Sequence, residues 1–396
     1  MQNKNILMLM TLLLSTQLWA GGGGSPTCSG LGENYVGWPT NDPVWEMCYL
    51  SPADSSAAQG SSLEIRQVYF NGYLVLERSH IPMLFANYTS STCYRDWKDT
   101  LSNFIQADQI ENPTSSAVTT CDASTSTTIP VGDCPFGLSG SCFTGVQVEK
   151  YQDRMVLTTN HSAAWYKYAS RYVFWADGRF QPRFGFGNSN GTNSGVTHWH
   201  HAYWRLNFDI DGADNDEVFI VDDQGQSQQT IEFHDLREIT SGQPNDPNVY
   251  TDEVTWLVKD SVTGRGYQMV PTFEGDSQLG DIDEYDIGPD PSMDGYHNVD
   301  VMVSNYKLFF NGTLPEYSDT PGSNSLGVCS MEEENIVNNE SLVGVDGNPV
   351  FWYRTAVEDL LNQGMLCKTG GPTFYPVGDW GLDQAPVCLL YTSDAA

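Results

Sequence analysis

The sequence predicts an all-β dominated fold. Its 396 residues include 17 Phe, 20 Tyr and 11 Trp, residue types that favour pleated, half-buried surfaces. Its 37 Gly and 20 Pro punctuate the chain at short intervals, as turns between strands require. Long apolar stripes at helical spacing are scarce. The length allows one large or two ordinary domains, with ample chain for a buried core.

Charge narrows the partners. Fifty acidic against 18 basic residues give a formal net charge of −32. A chain this acidic repels nucleic-acid phosphates and anionic membranes and attracts metal ions and protonated amines. The same charge also serves to keep an exported or salt-adapted protein soluble.

Residues 1–20 read as a secretory signal peptide: Lys4, the apolar run Ile6 to Leu14, then Ala20 as a small cleavage-site residue. The run is too short to span a bilayer, and no later one approaches that length. A secreted or periplasmic location is expected. At the other end, residues 388–396 look like a translated sequencing adapter, which would end the native sequence near Val387. Setting Cys388 aside leaves eight of the nine cysteines, an even number that suits disulfides in an oxidising compartment.

Residues 21–64 are Gly/Ser/Pro-rich and loop-like, with Cys28 and Cys48 as staples. Regular structure is expected to begin at Ile65, where Asn71-Gly72 joins two alternating apolar runs into a hairpin. Ile81 to Tyr88 continues the apolar pattern towards Cys93-Tyr94-Arg95-Asp96. A polar Ser/Thr-rich loop occupies 111–131, followed by Asp133-Cys134-Pro135. Ser162-Ala163-Ala164-Trp165-Tyr166-Lys167-Tyr168 leads to a strand at Val173-Phe174 with a turn at Asp177-Gly178. Gly185, Gly187, Asn188 and Gly191 predict a short flexible link after Phe180. Further strands are expected at Glu217–Val221, Ile231–His234, Thr255–Val258, Gly266–Val270 and Pro349–Tyr353. The acidic stretch Asp276–Asp294 lacks EF-hand spacing and reads as a solvated loop, although calcium is conceivable there.

The most informative stretch is His198-Trp199-His200, running on through Arg205-Leu206-Asn207-Phe208-Asp209-Ile210-Asp211-Gly212. Side chains alternate along a strand, so His198 and His200 share one face and form a chelating pair for Cu(II) or Zn(II). A metal-free strand edge is the plainer alternative. The whole string resembles the copper-ligand strand of the copper amine oxidases, H-x-H followed after four residues by R-L-D-x-D-(I/V)-D-G. Only Asn207, in place of an Asp, departs from it.

Other segments resemble the same family. Tyr166 and Tyr168 fall on the tyrosines of T-x-x-N-Y-(D/E)-Y, whose first Tyr becomes topaquinone. Ser162, Trp165 and Lys167 replace the Thr, Asn and acid of that motif. Thr255-Trp256-Leu257-Val258 and Gly266-Tyr267-Gln268-Met269-Val270-Pro271 resemble its later strands. The resemblance covers most of 65–360 and implies a large antiparallel β-sandwich, the family's catalytic domain, expected over 65–387. No counterpart of the family's smaller α/β domains is expected.

The resemblance also implies roles. Tyr166 is the quinone precursor, Asp96 the catalytic base, with Asp99 a competitor, and Tyr88 an active-site tyrosine. His198 and His200 are copper ligands. The third ligand, a His in the family, falls on Asp359, with Glu358 beside it, and the H-x-P-R signature is missing. His201, His234 and His297 are free alternatives. The D-C-P match implies a Cys134–Cys142 disulfide. The implied cofactors are copper and topaquinone, the substrates a small primary amine and dioxygen, and the assembly a homodimer. Two functions stay open: an active amine oxidase, or a catalytically inactive copper-binding sandwich with a binding or structural role.

Overall fold

Asn71 and Gly72 both take positive φ, 48° and 76°, the geometry of a tight two-residue hairpin turn. They join β3 (Glu64–Phe70) to β4 (Tyr73–Thr89), with Phe70 opposite Tyr73. The hairpin read from the sequence is therefore present. The computed structural model describes residues 23–51, 54–56, 62–89, 92–95, 109–111, 146–163, 166–188, 198–222, 224–235, 255–270, 301–306, 339–343, 348–359 and 367–382.

Two strands precede the hairpin, β1 (Asn34–Trp38) and β2 (Trp45–Leu50). After it come β5 (Thr92–Arg95), β6 (Gln109–Glu111), β7 (Gln147–Lys150), β8 (Arg154–Ala163), β9 (Tyr166–Trp175) and β10 (Phe180–Asn188). The next are β11 (His198–Phe208), β12 (Asp216–Asp222), β13 (Gly225–Gln229), β14 (Phe233–Asp235), β15 (Thr255–Asp260) and β16 (Gly266–Val270). The last are β17 (Val301–Asn305), β18 (Pro349–Asp359), β19 (Cys367–Gly370) and β20 (Thr373–Val377). No α-helix occurs among the described residues, and none of their segments is a helix long and apolar enough to cross a membrane.

The strands form two sheets. The nine-stranded sheet runs β1-β2-β3-β4-β11-β18-β17-β14, with β5 beside β4. The eleven-stranded sheet runs β13-β12-β15-β16-β20-β10-β9-β8-β7-β6, with β19 beside β10. Pairing is antiparallel except between β6 and β7. The fold is a large antiparallel β-sandwich, as expected.

The sheets meet through aromatic rings. Trp45 of the first sheet lies 4.8 Å from Phe174 of the second, and its indole N–H donates to the Trp175 carbonyl at 2.7 Å. Trp204 on β11 meets Tyr172 on β9 edge-on at 5.2 Å. Beside them the Ser79 and Tyr172 hydroxyls share a hydrogen bond of 2.8 Å. These contacts bury large rings, and the Trp45 indole and the Tyr172 hydroxyl find hydrogen-bond partners, as large buried aromatics usually do.

Two stretches depart from the sequence reading. Residues 21–64 hold β1 and β2, which the Gly/Ser/Pro content concealed. They are fixed by pairing to one another and to β3, and by a Cys28–Cys48 disulfide. The Gly-rich link expected after Phe180 begins as a nine-residue strand, β10. Its glycines sit between β9 and β19, where ladder hydrogen bonds on both sides outweigh their weak strand preference. The signal segment 1–20, Cys134, Cys142, the acidic loop 276–294 and residues 388–396 lie outside the described residues.

Candidate functional site

On β11, alternation turns Ala202, Trp204, Leu206 and Phe208 into the core with His200. On β9 the same rule aligns Tyr166, Tyr168, Tyr172 and Phe174. The two strands belong to different sheets, so the site forms where the sheets face one another.

His200 is fully buried and closed in by three rings. Phe186 of β10 stacks on it with centroids 4.1 Å apart. Tyr166 meets it edge-on at 4.6 Å. Tyr168 lies at 5.6 Å, and its hydroxyl and His200 Nδ1 share a hydrogen bond of 2.8 Å. Phe186 also lies 5.4 Å from Tyr166, which is only 2% exposed. The imidazole is thus held in plane and in rotation.

The remaining expected ligands cluster by strand register. His198 is opposite Asp359 on β18, Trp199 is opposite Glu358, and His200 is opposite Val357. Asp359 is fully buried. Directly opposed residues bring their Cβ atoms to about 5 Å, so His198 and Asp359 are placed as neighbours by backbone alone. Tyr88 lies on β4, one residue beyond Asn87, which registers with Trp199. His201 is on β11 and His234 on β14. Asp96, Asp99 and His297 lie outside the described residues. Among the described residues no group of three or more His, Cys, Asp or Glu is close enough to hold a metal ion.

The rest of the β11 motif has structural work. Arg205 is buried beside the rings of Tyr306 and Trp352, at 5.6 and 6.0 Å. It registers with His80, whose imidazole burial pushes down to about 3; Arg205, Arg78 and Arg66 lower it further and Glu64 opposes. His80 is therefore neutral at ordinary pH. Asp211 and Gly212 make the turn after β11, with φ of 61° and 132°. Asp211 accepts hydrogen bonds from Arg265 Nε at 2.7 Å and the Thr263 hydroxyl at 2.9 Å. Burial raises the Asp209 carboxyl to about 7 and Asp216 well above the carboxylate range.

No protein-family model and no curated protein matches the chain. Among solved structures it is similar to a copper-containing benzylamine oxidase from Hansenula polymorpha, with 12% identity and a TM-score of 0.46 over 96% of this chain and 64% of that one. It is also similar to an amine oxidase of Aspergillus nidulans, at 13% identity and a TM-score of 0.48 over 96% and 57%. A lysyl oxidase of Pichia pastoris gives 12% and 0.43 over 95% and 59%. The chain spans roughly three fifths of their length. The sandwich assignment stands on the chain's own strand pairing.

One residue of the site and one contact escaped sequence reasoning. Phe186, the ring stacked on His200, was hidden in the Gly-rich stretch, although Phe180, Phe184 and Phe186 fall at even spacing there. The Tyr168–His200 hydrogen bond joins residues 32 apart on two sheets, and no local pattern encodes such a contact.

Proposed function

We propose that this chain is an exported copper protein of amine-oxidase type. Its reaction would convert a small primary amine, dioxygen and water to aldehyde, ammonia and hydrogen peroxide. The observation that supports this reading is the contact of Tyr166 with His200. Two separate motifs point to these residues, one as quinone precursor and one as metal ligand. Residues assigned wrongly from motifs 34 positions apart have no reason to meet in one buried cluster.

The donors present suit copper. His200 is a buried imidazole on the ligand strand of the resemblance, and Asp359 is a buried carboxylate in register with His198. Mixed imidazole and carboxylate donors fit a borderline cation such as Cu(II). His198, His200 and Asp359, with Glu358 as the alternative, would hold the ion. When bound, copper and a quinone derived from Tyr166 supply the electron sink and the reduction of dioxygen.

The protein's own residues do the rest. Burial of Tyr166 and His200 keeps bulk water off the reacting ring, and Phe186 fixes the imidazole plane. Asp96, by the family resemblance, takes the proton from the carbon next to nitrogen. A carboxylate in an apolar setting has its pKa raised towards that task.

A second reading, copper binding without turnover, is favoured by the confinement of Tyr166 between His200 and Phe186. The replacements Trp165 and Lys167 beside it point the same way. One experiment separates the two. Copper-loaded, oxygenated protein is expected to turn coloured and to react with phenylhydrazine, and Tyr166→Phe to lose both along with amine-dependent peroxide. His198→Ala is expected to lose stoichiometric copper. An unmodified Tyr166 peptide by mass spectrometry after copper and oxygen would end the oxidase reading and leave the binding one.

A further inference from the structure

We propose that Asn339 is an N-glycosylation site whose sugar shields the exposed end of β13. The inference rests on the export part of the reading above and is independent of copper.

Five Asn-x-Ser/Thr triplets occur in the chain, at Asn87, Asn160, Asn190, Asn311 and Asn339. This is the acceptor pattern for N-linked sugars in an exported protein, and a bulky sugar requires a surface position. Asn190 and Asn311 lie outside the described residues. Asn87 sits in β4 with a paired strand on each side, opposite Trp199 of β11 and Cys93 of β5. Asn160 sits in β8 opposite Ala169 of β9. Asn339, Glu340 and Ser341 lie outside the named strands, and all three are exposed.

The triplet is exposed yet firmly held. Asn339 takes a φ of 67°, a left-handed turn conformation that Asn adopts more readily than most residues. The Glu340 carbonyl accepts from the Glu232 N–H at 2.9 Å, and the Leu342 N–H donates to the Thr230 carbonyl at 3.0 Å. Leu342 itself is fully buried. The Ser341 hydroxyl donates to the Val343 carbonyl at 3.1 Å. None of these anchors uses the Asn339 side chain, so a sugar there disturbs none of them.

The position also gives the sugar a task. Ser341 pairs with Ile231, which is 49% exposed and follows the end of β13 by two residues. Gln224 to Ile231 carry no charge, Gly225 to Gln228 are exposed, and β13 ends the strand order of its sheet. An uncharged, exposed edge strand invites pairing with another chain, and proteins commonly charge or cover such edges. A sugar on Asn339 stands beside the apolar end of this one.

The transfer balances without oxidation. The donor is an oligosaccharide carried on a lipid diphosphate. Its C1–O bond to phosphate breaks, a C1–N bond forms to the Asn339 amide nitrogen, that nitrogen gives up one proton, and the lipid diphosphate leaves.

The test expresses the full-length chain in a eukaryotic host with an N-glycosylating secretory route and recovers it from the medium. Peptide N-glycosidase in heavy-oxygen water turns each acceptor Asn into a labelled Asp, which peptide mass spectrometry locates. Asn339 is expected to carry the label, and Asn87 and Asn160 to stay unlabelled. Asn339→Gln and Ser341→Ala should both lose the sugar, and Ser341→Thr should keep it. An unmodified Asn339 in exported protein would overturn the inference alone. A chain that keeps residues 1–20 and stays inside the cell would overturn the export reading with it. Should a variant not fold, the wild-type peptide map decides. In sedimentation at matched concentration, enzymatically deglycosylated protein is expected to associate further than the glycosylated form, and Ser227→Lys to remove the difference. Equal association of the two forms would overturn the shielding role.

Discussion

Asp209 is a carboxyl that folding moves from water into a nearly closed corner. It follows β11, is 7% exposed, and accepts from the Asn207 amide at 3.3 Å. Burial raises its pKa to about 7; the charges of Glu77 and Asp214 add to this and Arg205 opposes it. In the unfolded chain the group ionises near the usual value of about 4. Between those two values the folded protein binds a proton that the unfolded chain has lost. Stability therefore falls as pH rises from about 4 to 7 and is level above 7. At about 1.36 kcal/mol per pH unit the whole change has a ceiling of roughly 4 kcal/mol. Asparagine keeps the shape and cannot ionise. Asp209→Asn is thus expected to match the wild type near pH 4 and to exceed it at pH 8 by up to roughly 4 kcal/mol. Asp216, raised by its own burial and partly by the Asp209 charge, keeps a residual slope in the variant. Urea unfolding followed by tryptophan fluorescence at pH 5 and pH 8 measures the difference, with chelator present so that no cation neutralises the corner. A variant less stable than the wild type at pH 8 would refute the reasoning, because Asp209 would then be ionised and stabilised in the fold.

Further outcomes are expected from other parts of the sandwich. Replacing Cys28 and Cys48 together by Ser opens a loop of 20 residues and should destabilise by about 3 kcal/mol; equal denaturation midpoints under reducing and oxidising conditions would contradict this. Gly178 turns β9 into β10 with φ of 87°, and a Cβ there would lie 2.6 Å from the Phe70 ring. Gly178→Ala should therefore cost about 2–4 kcal/mol from strain and overpacking, read as a drop in melting temperature. Tyr172→Phe removes the hydroxyl bonded to Ser79 across the sheets and should cost about 1–2 kcal/mol, with the Ser79→Ala, Tyr172→Phe pair costing less than the two singles summed.

Much of the fold was legible because strands announce themselves locally. The Asn71-Gly72 turn, the alternation of β11 and the turn at Asp177-Gly178 all follow from side-chain period and φ preference. The partial view of the site had the same origin: His198, His200 and Tyr166 lie in continuous motifs. What the sequence concealed is non-local. β10 looked like a linker because its glycines weaken any intrinsic preference, yet pairing on both sides holds it as a strand. β1 and β2 were masked by turn-forming neighbours and owe their form to β3. The placement of Phe186 on His200 depends on which sheets face one another, and that is decided by the whole chain at once.

The central place of β11 has a consequence for how the protein is made. One side of the strand pairs with β4, which precedes it, but the other pairs with β18, which begins only at Pro349. Until that last long strand arrives, the His198–Phe208 segment presents an open row of amides and carbonyls flanked by tryptophan and tyrosine. Such an edge is prone to pair with another chain. A molecule truncated before Pro349 would therefore keep its stickiest strand uncovered. Emergence of the closing strand would be the event that commits the chain to solubility.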